Sequence, residues 1–273
     1  MRLKAKKVSM KARINGIELA WDDTGGTGKA VLLIHGYPLC RRMWRPQVAA
    51  LAAAGYRVIT PDLRGFGESE APAGDCTMEL FADDLVALLD HLGLEKAVIG
   101  GMSMGGYVLL DLLARYRQCL SAALFIVTRA GGDDAEGKAR RTRLAATVLE
   151  EGALPVVDAF AGIVFASATA ATRPELVREV RSWMEGTSPR GLAGGLLAIC
   201  DRADFTHRLS ELTLPALVIG AEEDRAIPPA ESRGIAAGLP AATLVILPGG
   251  GHLVNLECSE AFNGALLDFL GRL

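Results

Sequence analysis

The sequence has no apolar stretch approaching the roughly 18 to 20 residues that cross a bilayer. It also lacks any C-x-x-C pair: five cysteines, Cys40, Cys76, Cys119, Cys200 and Cys258, are odd in number and scattered. That excludes a regular disulfide framework and a thiolate metal site, and leaves small, reduced, mostly buried hydrophobes. The basic N-terminus, Met1 to Lys7, is not followed by the apolar core and cleavage site of a secretory signal. A cytoplasmic location is therefore the expectation. Apart from the basic residues before Met10, charge of one sign does not accumulate: the formal net charge is −3, with acids and bases interspersed. No attraction to nucleic acid or to an anionic membrane surface is expected.

What is present is a chain of 273 residues, half of them hydrophobic and 22% charged. That length buries a substantial core as one large domain, or as one domain carrying an insertion. Residues 1–10 read as a disordered tail, because Met10 stands directly before the first strand-like stretch. Alternating residues from 11 to 22 predict two short strands joined at Asn15-Gly16. Ala30 to Ile34 is a continuous apolar run, which fits a strand covered on both faces of a parallel sheet. Helices are predicted from about Pro46 to Ala54 and from Thr77 to His91, with the strand Arg57 to Thr60 between them. Ala122 to Val127 is a further buried strand.

From Arg129 to Leu214 the strand–helix rhythm stops. Long helical patterns and clustered arginines predict a helical cap over residues 129–214, inserted into a core of 11–128 and 215–273. Alternation then resumes with strands at Pro215 to Ile219 and Thr243 to Leu247, a helix near Pro229 to Ala237, and a final helix with Ser259 as its predicted cap. Repeated strand–helix units imply a mainly parallel sheet with helices on both sides, whose functional loops lie at the carboxyl ends of the strands.

Those ends carry chemistry. Gly101-Met102-Ser103-Met104-Gly105 sits where the apolar run Ala97-Val98-Ile99 gives way to a helical pattern, so Ser103 occupies a sharp strand-to-helix bend. A serine hydroxyl is a weak nucleophile at neutral pH and needs an imidazole to take its proton; the imidazole needs a carboxylate to fix its tautomer. His252, in Pro248-Gly249-Gly250-Gly251-His252, follows the last strand and suits the base. Of the other three histidines, His35 reads as a brace of its own loop, His91 as a helix-end residue, and His207 has no preceding strand. For the acid, Glu222, Glu223 and Asp224 stand together after one strand, with Asp133 and Asp134 after the preceding one.

Taken together, His35-Gly36-Tyr37-Pro38, Asp62 to Ser69, Gly101 to Gly106, Gly220 to Pro228 and Gly251-His252 resemble an α/β-hydrolase of the serine esterase and lactonase type. The likeness covers nearly all of residues 11–273 except the cap. It implies an α/β fold with a mostly parallel eight-stranded sheet flanked by helices. It further implies Ser103 as nucleophile, His252 as general base and acid, Asp224 as orienting carboxylate, and the backbone N–H groups of Tyr37 and Met104 as the oxyanion hole. Asp62, Arg64 and Gly65 resemble a structural turn. The resemblance requires neither metal nor organic cofactor, and points to a small-molecule ester or lactone as substrate.

A serine nucleophile sets the chain apart from the dehalogenases and epoxide hydrolases of that superfamily, which use aspartate. No tyrosine occurs between Arg129 and Leu214, where epoxide opening would want one. Carbon–carbon bond hydrolysis, cofactor-free haloperoxidase or perhydrolase activity, and a slow small-molecule receptor remain alternatives on the same residues. In the cap, Phe160, Phe165 and Trp183 are read as cap core ahead of pocket lining, and Arg140, Arg141 and Arg143 as a solvated helix face ahead of a carboxylate site. Trp44 and Tyr107 are expected near the motif loops, and oligomeric state leaves no signature.

Overall fold

The structure, a computed structural model, describes residues 8–273. Strands β1 (Val8–Ile14) and β2 (Ile17–Asp23) form a hairpin. At its turn Asn15 and Gly16 take φ of 45° and 83°, the paired positive values that let a two-residue turn follow the strand twist. The hairpin starts earlier than the sequence pattern predicts. Val8, Ser9 and Met10 pair with Asp23, Asp22 and Trp21, so these three residues belong to the sheet and not to a tail. The backbone ladder needs no apolar alternation, which is why the pattern misses them. The remainder of the expected tail, residues 1–7, lies outside the described residues.

Then come β3 (Ala30–Ile34), α1 (Arg45–Ala53), β4 (Arg57–Pro61), α2 (Met78–His91), β5 (Ala97–Met102), α3 (Met104–Arg115) and β6 (Leu120–Ile126). The α2 boundary is set by Thr77, whose side chain accepts from the Leu80 N–H at 3.1 Å. Five helices stand between β6 and the next strand: α4 (Ala135–Glu151), α5 (Leu154–Ala161), α6 (Ser167–Thr172), α7 (Pro174–Glu185) and α8 (Pro189–Asp201). The chain ends with β7 (Ala216–Ala221), α9 (Pro229–Gly238), β8 (Ala242–Leu247), α10 (Val254–Glu257) and α11 (Ser259–Leu270). Ser259 does not cap α11. The chain leaves α10 directly into it, so Cys258 takes the cap position with no side-chain hydrogen bond to the helix and Ser259 is already helical. Among the described residues, no helix is long and apolar enough to cross a membrane.

The eight strands form one sheet in the order β1-β2-β4-β3-β5-β6-β7-β8. The pairs β1–β2 and β2–β4 are antiparallel, and every other pair is parallel. Because side chains alternate across a strand, β3 feeds two cores. Leu32 and Ile34 join the α2 and α3 residues Phe81, Leu85 and Leu109 on one face. Val31 and Leu33 join Leu51 of α1 and Phe262 and Leu266 of α11 on the other. Burial on both faces holds β3 and β5 rigidly at the centre, with their carboxyl ends at one rim.

Candidate active site

Ser103 follows β5 with φ 53° and ψ −116°, a left-handed conformation that a non-glycine residue adopts at a cost of roughly 1 to 3 kcal/mol. Its neighbours hold it there. The Ser103 N–H donates to the Ile126 carbonyl at 3.0 Å, and the Ser103 carbonyl accepts from the Thr128 hydroxyl at 2.8 Å and the Gly106 N–H at 2.9 Å. The flanking glycines are required by close approach: a Cβ on Gly101 would lie 2.0 Å from the Gly105 carbonyl oxygen, and one on Gly105 would lie 2.5 Å from that of Ile34. The bend therefore packs directly on the end of β3. Met104 opens α3, whose first N–H groups lack helical acceptors. Tyr37 stands across from the bend on the β3 loop. Among the described residues no backbone carbonyl accepts from its N–H.

His252 and Asp224 come from the loops after β8 and β7. The His252 Nδ1 lies 2.8 Å from Asp224 Oδ2, and both side chains are buried. The other carboxylate oxygen of Asp224 accepts from the Ala226 and Ile227 N–H groups at 2.8 and 2.9 Å, which fixes its plane. An imidazole with a carboxylate against Nδ1 can offer Nε2 to a substrate or to a nearby hydroxyl. Glu222 and Glu223 are exposed. Asp133 instead hydrogen-bonds to Arg141 and Arg202, and Asp134 caps α4 by accepting from Gly137 N–H at 2.7 Å. Burial alone would raise the Asp133 carboxyl, but its arginine partners hold it below the usual carboxylate value.

Ser103 and His252 line one cavity of about 350 Å³, together with Tyr37, Tyr107, Phe160 and Ile227. Arg129 and, from α4, Arg140 and Arg141 line it as well, while Arg143, also on α4, is exposed outside it. Phe165, Trp183 and Trp44 are buried in the core on the α1 and α11 side. His35 does brace its surroundings. Its Nε2 accepts from the Leu63 N–H at 3.0 Å and so leaves the proton on Nδ1, which donates to the Gly36 carbonyl at 2.9 Å. Burial pushes this imidazole below the usual histidine value, so it stays neutral. Arg64 is tied to Asp84, and Arg41 to Asp62, in the structural turn. His91 packs edge-on against Trp21, and His207 is exposed.

No local sequence signal marks Glu257. One of its oxygens accepts from the Gly251 N–H at 3.1 Å and the other from the Ala166 N–H at 2.9 Å. Leu253 N–H also donates to the Val164 carbonyl at 3.0 Å. The glycine-rich histidine loop is thus pinned to the segment before α6. Such a tie bridges 91 residues and has no local pattern to reveal it.

The chain is 38% identical to a thermophilic esterase from Thermogutta terrifontis, solved with malate bound, at a TM-score of 0.92 over 98% of this chain and 99% of that one. It is 30% identical to the enol-lactonase of Burkholderia xenovorans LB400, at a TM-score of 0.89 over 96% and 100%. It is 29% identical to a bromoperoxidase from Bacillus anthracis, at a TM-score of 0.85 over 97% and 100%. The model of the alpha/beta hydrolase family matches residues 31–265, and with relatives of this similarity along almost its whole length the chain belongs to that family.

Proposed function

We propose that this protein is a cytoplasmic serine hydrolase that cleaves small carboxylic esters or lactones through an acyl-enzyme, with residues 129–214 as the cap over its site. The observation that carries the reading is the strained Ser103 in one cavity with His252, whose Nδ1 meets Asp224 at 2.8 Å. Ser103 Oγ attacks the carbonyl carbon as His252 Nε2 takes its proton. The resulting oxyanion is met by the N–H groups of Tyr37 and Met104, each such donor being worth about 3 kcal/mol of barrier. The α3 dipole adds to that field. His252 then protonates the departing alcohol oxygen, and afterwards takes a proton from the water that hydrolyses the acyl-serine. Relatives named esterase and enol-lactonase support this chemistry.

Ser103→Ala tests it. Turnover of short-chain p-nitrophenyl esters is expected to vanish while the circular dichroism spectrum stays unchanged, and retained turnover overturns the assignment. The likeness to a bromoperoxidase favours a second reaction of the same acyl-enzyme. Hydrogen peroxide in place of water would release a peracid, which oxidises halide. Peracid formation that needs a carboxylic acid, peroxide and Ser103 together is its signature.

A further inference from the structure

The cavity that holds Ser103 and His252 is lined by charges of unequal number: three guanidinium groups, of Arg129, Arg140 and Arg141, against the one carboxylate of Asp133. Asp133 is committed to Arg141 and to Arg202, the latter at 2.8 Å. Arg129 and Arg140 have no carboxylate in an ion pair with them among the described residues. Asp134 and Glu136 border an adjoining depression that both arginines also line, but Asp134 is engaged in capping α4.

Arg129 is the sharper case. It stands just beyond β6, half-buried, with one terminal nitrogen donating to the Ala226 carbonyl at 3.3 Å and its Nε buried without an acceptor. A guanidinium carries five N–H donors and cannot shed its charge in a protein. A half-buried cation left so short of acceptors is costly unless an anion joins it. Arg140 adds a second charge from α4, more exposed and adaptable.

We infer that the cavity binds a free carboxylate of its substrate at Arg129, supported by Arg140, so that the preferred substrate is an ester or lactone bearing an acid group. The ester or lactone half of this statement rests on the proposed hydrolase reading; the acid half rests on the cavity's charge alone. The planar fork of arginine suits a carboxylate bidentately, which also orients the scissile carbonyl.

The test compares 4-nitrophenyl hydrogen glutarate with the neutral 4-nitrophenyl pentanoate, and separately measures glutarate binding by calorimetry against neutral glutaramide. The ratio of kcat/KM, acid ester over neutral ester, is expected to exceed one and to fall about 10- to 100-fold in Arg129→Met, the loss typical of a charged hydrogen-bond partner. Arg140→Met lowers it less, Arg129→Lys retains part of it, and Arg143→Met leaves it unchanged. An unchanged ratio in Arg129→Met, or equal binding of glutarate and glutaramide by the wild type, overturns the inference while leaving the hydrolase reading intact. Glutarate binding that needs Arg129, in a protein that turns over neither ester, upholds the acid site and removes the hydrolase reading. Should Arg129→Met fail to fold, the wild-type binding comparison and the Arg129→Lys ratio decide.

Discussion

His252 Nδ1 and Asp224 Oδ2 lie 2.8 Å apart across 28 residues of chain, in a pair almost closed to solvent. The carboxylate cannot turn, because the Ala226 and Ile227 N–H groups grip its second oxygen. Asp224→Asn keeps the shape but offers Nδ1 an amide that no longer enforces one tautomer. The kcat for p-nitrophenyl acetate is expected to fall about 10³- to 10⁴-fold with little change in thermal stability. A loss under about tenfold would mean that Asp224 does not orient the base.

Glu257 joins the histidine loop to Ala166 through two backbone N–H groups. Glu257→Ala strands both donors, at about 1 to 3 kcal/mol for each one left buried and unpaired. Thermal unfolding should shift downward and kcat should drop together with it. An unaltered melting temperature would show that water replaces the carboxylate without loss.

The elbow glycines make a contrast that calorimetry can read. Gly105→Ala would place a Cβ 2.5 Å from the Ile34 carbonyl oxygen and 2.8 Å from that of His35, both main-chain atoms with no room to retreat. A loss of about 2 kcal/mol or more is expected. In α9, a Cβ on Gly234 meets nothing within 4 Å. Gly234→Ala should stabilise by about 0.5 to 1 kcal/mol through reduced unfolded-state entropy.

Asp111 on α3 has its carboxyl pushed up to about 6, first by burial and then by the nearby Glu79 charge. The folded state therefore holds this proton more tightly than the unfolded chain, whose value is 3.8. Stability contributed by the protonated form is complete below about pH 4 and is lost as pH rises toward 6. Asp111→Asn should remove that slope and make the protein more stable than wild type at pH 7 by about 1 to 3 kcal/mol, with the difference vanishing below pH 4. Urea unfolding across this window checks it. A parallel pH dependence in both proteins would place the slope elsewhere.

The central strands were legible because their signals are local. Ala30 to Ile34 and Ala97 to Ile99 are apolar runs that only burial on both faces explains, and the structure buries them on both faces. Asn15-Gly16 declared its turn by the same token, since few residue pairs accept two positive φ values. The start of β1 escaped because Val8 to Met10 are held by main-chain pairing, which leaves no trace in side-chain type. The Ser259 cap failed for a related reason: cap propensity presumes an extended residue before the helix, and α10 abuts α11 instead.

Residue types alone determined the layered α/β plan and nominated Ser103 and His252, because hydrophobic periodicity fixes which loops share a rim; Asp224 was singled out from its acidic neighbours only by the resemblance to the α/β-hydrolases. Whether those loops meet in one cavity was decided by the parallel order of β3, β5, β6, β7 and β8, which brings residues far apart in the chain side by side. The same holds for the charge of that cavity. Arg140 and Arg143 are indistinguishable in a list of clustered arginines and both are exposed on α4, yet only Arg140 lines the cavity that holds Ser103. Contact between remote segments is a property of packing, and no local preference encodes it.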